Sequence, residues 1–402
     1  MQNSILAYPR LNRVTQILLL MIAVSCFFCL SSPLFQVYTR IAIFLFGMYS
    51  VVILSGVPVS LDRLQTIHLL VLSMHCVVSL FFTGGGIGSV ITIVFNIFLV
   101  QVINHCKMNR AAVRIIWLLF LLLFISCLFK CPDYFIIWDK DKDIRLFNPN
   151  TLAFLTVYSS MILTLFSRKN ANGRKALKLF LACLTIYGIL QYKSRGALLM
   201  YTSFLIFKYV IPMRWKRQKR FTVMFFLILI TAGYLFPLVY VHLAEGHWET
   251  GIVLSKFLGK KGLFTGREQI WNSFYKAMSE KKINYLVGIG SHANIMLHGE
   301  ANVNVHSAFL VVLMNFGIIG SFLYYIFFIL QINKIYSCEN ITKRQIDLLY
   351  GAFSFLVLGV FETTSLWMPF VLFMSFLWGM SKSISKRQAV FFSENGREQY
   401  EG

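Results

Sequence analysis

Apolar residues along this chain gather into long runs separated by short polar stretches, without the strict alternation of a half-buried strand. A bilayer core takes about 20 mostly apolar residues per helix. About twelve runs approach that length, near 15–31, 39–56, 64–83, 88–104, 112–129, 150–166, 176–192, 197–212, 221–241, 306–331, 347–362 and 367–381. Two connections are longer than the rest. The first, Lys130 to Asn150, mixes Asp133, Asp139, Asp141 and Asp143 with Lys140, Lys142 and Arg145 and reads as a solvated loop. Its acidic spacing lacks the glycine and the terminal glutamate of a calcium loop. The second, 242–305, is the one soluble-sized piece, and connections of that length are mostly functional or disordered. Its aromatic residues, from Trp248 through Trp271 and Phe274 to Tyr285, argue for order. Between Arg267 and Ser279, Ile270, Trp271, Phe274 and Tyr275 share one helical face, which predicts an amphipathic helix lying at the membrane interface.

Composition agrees. Of the 402 residues 57% are hydrophobic and only 13% charged, against roughly 25% charged in soluble domains, so a water-soluble globule is excluded. A net charge of +22 would suit nucleic acid, but the Lys and Arg residues sit in short clusters between apolar runs, as they do beside membrane spans. No nucleic-acid partner is expected. Most of these bases fall in alternate loops, led by the basic run from Met213 to Arg220, which places both termini in the cytoplasm. The same run suits anionic lipid headgroups. The eight cysteines lie mostly in apolar segments, and Cys26 and Cys29 form neither a readable disulfide framework nor a zinc pair. The expected organisation is therefore all-α and polytopic, an integral membrane protein of about twelve transmembrane helices. Nine of them fall in 1–241, a large loop with its amphipathic helix in 242–305, three more helices in 306–381 and a cytoplasmic tail in 382–402.

Three clusters fall on the side away from the basic loops. Lys193-Ser194-Arg195-Gly196 joins two apolar runs and holds Arg195 at the membrane edge. Thr265-Gly266-Arg267 opens the amphipathic helix, with Trp271 four residues on. Gly288-Ile289-Gly290 leads to Val305-His306-Ser307 at the head of the tenth run, with Gly317 and Gly320 inside that run as packing positions. Two readings of the arginines stand side by side: snorkelling to headgroup phosphates, or a fork-shaped diphosphate site, since guanidinium binds phosphate oxygens in pairs and keeps its charge. His306 is either a structural helix start or an imidazole placed to take a proton from a hydroxyl at the bilayer surface. Glu362, ending the eleventh run, is a base, an arginine partner or a solvated carboxylate. Five of the eight histidines (His242, His247, His292, His298 and His306) lie in or beside the long loop, but their spacing matches no helical ligand pair and no cysteine joins them. No metal and no cofactor is expected.

In these clusters, Ser194-Arg195-Gly196-Ala197-Leu198, Gly266-Arg267 with Trp271, and Gly288-Ile289-Gly290 leading to His306-Ser307 and Leu310, the chain resembles the bacterial O-antigen polymerase and O-antigen ligase superfamily. The resemblance covers about residues 180–325. Where that family often has Asn after the histidine, this chain has Ser307. The resemblance implies a GT-C-like fold with one large periplasmic loop, and a metal-independent glycosyltransferase of the bacterial inner membrane. Its donor would be a polyprenyl-diphosphate-linked glycan and its acceptor a lipid-linked glycan or the lipid A core, with a chain-length co-polymerase as a further partner. It also implies that Arg195 and Arg267 bind the diphosphate, with Trp271, Glu362 and Gly290 around the substrate, and that His306 orients or deprotonates the acceptor. The aromatic loop and the Gly-Ile-Gly approach to His306 are more similar to polymerases than to ligases. A transporter or lipid flippase is the reading from another class. It calls for related halves or charges at mid-membrane, and the sequence presents neither.

Overall fold

In the computed structural model the described residues are 110–129, 136–139, 142–145, 149–166, 173–244, 267–290, 295, 305–337, 341 and 343–362, with ten helical positions between 67 and 82. The spans expected at 15–31, 39–56, 88–104 and 367–381, Cys26, Cys29, His247, His292, His298 and the tail 382–402 lie outside them.

The described residues are helical apart from one hairpin. Helix α1 runs Arg110–Phe129, α2 Pro149–Phe166, α3 Gly173–Gln191 and α4 Arg195–Leu205, which continues into a π-helical turn Ile206–Val210. After the short α5, Met213–Lys216, come α6, Lys219–Ala244; α7, Arg267–Ser279; α8, Lys282–Val287; α9, Ala308–Tyr336; and α10, Lys343–Gly359. These helices coincide with the apolar runs because such runs can hide their backbone polar groups only by hydrogen bonding within the segment. Helices α6 and α9 contain 24 and 23 residues apolar enough to cross a membrane. Large apolar side chains stand exposed along α3 (Leu179, Phe180), α6 (Met224, Ile228) and α9 (Phe322), a surface suited to lipid rather than water. This is the helical surface of a membrane protein.

The segment read from sequence as a solvated loop instead holds two antiparallel strands, β1 Ile136–Asp139 and β2 Lys142–Arg145, paired from Ile136↔Arg145 to Asp139↔Lys142. Ile136, Ile137 and Ile144 favour strand.

Helix α2 packs against α1, α3 and α4, and α10 against α4 and α6. The main core gathers Phe204, Phe226, Phe309, Phe316, Tyr350 and Phe353. At one end of the bundle Lys216, taken from sequence as a topology anchor, is buried. Its ammonium donates to the carbonyls of Phe207 (3.2 Å) and Lys208 (3.0 Å) beside the π-helical turn and lies 3.5 Å from Asp347. Burying a lysine is tolerable only with such partners.

Helix α9 is broken. Gly317 has φ 61° and ψ −168°, so a position expected to serve packing serves a bend. A Cβ there would sit 2.3 Å from the Leu286 carbonyl, because α8 presses its last residues into the break. Three successive carbonyls at the break take partners from outside α9. Met314 accepts from the amides of Ile289 (2.7 Å) and Gly290 (3.0 Å), Asn315 from the Ser79 hydroxyl (3.0 Å) and Phe316 from Nε2 of His75 (2.9 Å). Gly320 leaves the room through which His75 enters, since a Cβ there would lie 2.7 Å from that same nitrogen.

Candidate active site

At the other end of the bundle three helices begin close together. Helix α4 starts at Arg195, α7 at Arg267 and α9 two residues after His306. Two of these starts share a pattern. Ser194 caps α4 by accepting from the Ala197 amide, and Ser307 caps α9 by accepting from the Leu310 amide, each at 3.4 Å. The residue before each serine, Lys193 (φ 49°) and His306 (φ 50°), holds a left-handed backbone. Lys193 also ends α3, with the Ser194 amide reaching back to the Ile189 carbonyl. Among the described residues these two are the non-glycine residues with positive φ, and such strain concentrates at functional sites.

The end of α10 clasps these starts. Gly196 brings α4 against Leu358, where a Cβ would lie 3.1 Å from its methyl. The buried Ser307 hydroxyl lies 3.5 Å from the Gly359 carbonyl, and the Ala308 amide donates to the carbonyl of Glu362 at 3.1 Å. The Glu362 carboxylate thereby comes between two of the sequence candidates. Oε1 accepts from Nη2 of Arg267 at 2.8 Å, and Oε2 lies 3.8 Å from Nδ1 of His306. Arg267 and Glu362 are 19% and 13% exposed, His306 36%, so the cluster is half-buried yet reachable. Arg195 is within electrostatic range of Arg267. Burial first, and then that like charge, lower its guanidinium pKa from the ordinary value, with Tyr240 opposing. An arginine remains charged at neutral pH even so.

The structure thus brings Arg267, His306 and Glu362 together, with Arg195 in electrostatic range of Arg267, while Trp271 and Gly290 hydrogen-bond to backbone before and within α9. The Trp271 indole is fully buried and donates to the Val305 carbonyl at 2.9 Å, directly behind His306. Gly290 is bonded to Met314, six residues into α9 and so about 9 Å along the axis from its start. Trp271, Phe274 and Met278 bury their side chains against Val241 of α6 and Leu310 and Leu313 of α9, because a protein surface of matching shape is at hand. Ser79 and His75 escaped the sequence reading. They are polar residues four apart in an apolar run, hence on one helical face, which is the signal that could have found them. Among the described residues no three His, Cys, Asp or Glu side chains cluster as a metal site needs.

Arg267 and His306 thus flank the Glu362 carboxylate, with Arg195 in electrostatic range of Arg267. Among curated proteins none matches the chain. Residues 179–325 match the family model described as O-antigen ligase, so the segment that carries Arg195, Arg267 and His306 is similar to the O-antigen ligases and supports placement in the O-antigen polymerase and ligase superfamily.

Proposed function

We propose that the protein is an O-antigen polymerase, a metal-independent glycosyltransferase that moves a polyprenyl-diphosphate-linked glycan onto a lipid-linked repeat unit. The observation that carries this reading is the meeting of Arg267 and His306 on Glu362, with Arg195 in electrostatic range. Breaking the bond from sugar to diphosphate leaves negative charge on the departing phosphate, and two fixed guanidinium groups stabilise it without a metal. His306 takes the proton of the acceptor hydroxyl, a step worth about 10²–10⁴ in rate in comparable enzymes. Trp271 and Gly290 serve the substrate indirectly, Trp271 by backing His306 and Gly290 by fixing α8 on α9. Donor and acceptor are both tethered to membrane lipid, which raises their encounter frequency. On this reading the enzyme is a multi-pass protein of the bacterial inner membrane with both termini cytoplasmic. The cluster faces the periplasm, undecaprenyl diphosphate is the carrier, and a chain-length co-polymerase is a further partner.

The family description favours a second reading, an O-antigen ligase whose acceptor is the lipid A core. A gel profile of surface glycolipid from a strain lacking the gene separates them. Core with one repeat unit and no long ladder supports the polymerase. Bare core with lipid-linked polymer accumulating supports the ligase, and an unchanged ladder rejects both in favour of a transporter or another polysaccharide.

A further inference from the structure

The position of Glu362 carries a consequence for the order of events. Its backbone is tied to the start of α9 through the Ala308 amide, so its side chain pivots from a fixed point. From there one oxygen holds Arg267 at 2.8 Å while the other stands 3.8 Å from Nδ1 of His306. That second separation is beyond a hydrogen bond but within a side-chain rotation. A diphosphate diester brings two negative charges to the guanidinium that the carboxylate occupies. At half-buried positions the two anions repel strongly, and the fork of Arg267 serves phosphate oxygens as well as it serves a carboxylate.

We propose that Glu362 is an exchangeable positioning residue: a lipid-linked diphosphate takes Arg267, and the released carboxylate turns onto the Nδ1–H of His306, so that donor binding arms the imidazole. This rests on the proposed function. A carboxylate on Nδ1–H fixes the tautomer that leaves Nε2 as the acceptor and stabilises the imidazolium once formed. The transfer then balances. Nε2 takes the acceptor proton, the acceptor oxygen bonds to the anomeric carbon, and the bond from that carbon to the phosphate oxygen breaks with its electron pair leaving on the polyprenyl diphosphate. The imidazolium returns its proton to solvent.

The test uses the purified full-length protein in lipid nanodiscs, with a polyprenyl diphosphate as the binding probe and the lipid-linked glycan as donor. The exchange expects Glu362→Gln to bind the probe as tightly as the wild type or tighter, since a neutral amide competes less for Arg267, while kcat falls roughly 10- to 100-fold. Probe binding should also change the rate at which diethylpyrocarbonate modifies His306, read by peptide mass spectrometry, in the wild type and not in Glu362→Gln. Retained binding in that variant reports that it folds. Wild-type kcat in Glu362→Gln, or an unaltered His306 modification rate on probe binding in the wild type, would overturn the exchange. If the probe binds no more weakly to Arg267→Ala than to the wild type, the proposed function itself fails.

Discussion

His306 is held in a left-handed backbone that costs a non-glycine residue on the order of 1–3 kcal/mol, and its neighbours on both sides are fastened to sustain it. Trp271 grips the Val305 carbonyl before it, and Glu362 grips the Ala308 amide after it. Between them Ser307 caps α9, a role that Asn can fill as well, since both are among the best N-cap residues. Ser307→Asn should therefore keep activity, whereas Ser307→Ala should cost about 1 kcal/mol in thermal unfolding and lower the rate. Equal stability of the two variants would remove the capping role. At Arg267 the fork matters as well as the charge. Arg267→Lys should lose product nearly as completely as Arg267→Ala while the protein still accumulates in the membrane, because lysine is a point charge without the planar fork. An active lysine variant, assayed for polymer in membranes, would reject paired binding to the diphosphate.

At the scale of elements, α7 and α8 act as a clamp on the first half of α9. Its upper jaw is Trp271 on Val305, its lower jaw the Ile289 and Gly290 amides on Met314, and the apolar contacts of Phe274 and Met278 with Leu310 and Leu313 lie between. Arg267 and the segment carrying His306 are thereby joined through Trp271 and Val305, while the Ala308 amide fastens the same segment to Glu362. Trp271→Phe keeps the ring but leaves a buried carbonyl unpaired, a loss of about 1–3 kcal/mol. It should speed amide hydrogen exchange in α7 and α8 while leaving α2 and α3 unchanged. The elements show what sequence can and cannot carry. The helices from α1 to α4, α6, α9 and α10 were legible because each is an apolar run bounded by charged, glycine or proline residues, and α7 because Trp271 and Phe274 fall at helical spacing. The hairpin was hidden by its charges. The break at Gly317 was hidden because an apolar run reads straight through it. Of the site, Arg195, Arg267, His306 and Glu362 were each visible as polar residues at the ends of runs, but the ion pair joining Arg267 to a residue 95 positions away leaves no local trace.

On the scale of the whole molecule, the motif-bearing half of the chain is not self-sufficient. Two of the three carbonyls at the break in α9 take their partners from His75 and Ser79, more than two hundred residues earlier in the chain. In lipid an unsatisfied carbonyl costs several kcal/mol, so a fragment from residue 173 onward keeps every residue of the candidate site yet should fail to accumulate. Co-expression of residues 1–172 as a separate chain should restore it, as measured by immunoblot of membranes. Stable accumulation of the fragment alone would contradict this dependence. In the order of synthesis, His75 and Ser79 reach the bilayer long before α9 leaves the ribosome. The segment carrying His75 and Ser79 then serves as a resident template: α9 is born bent where hydroxyl and imidazole partners are already waiting, and a chain whose early part has misinserted is expected to leave the candidate site incomplete.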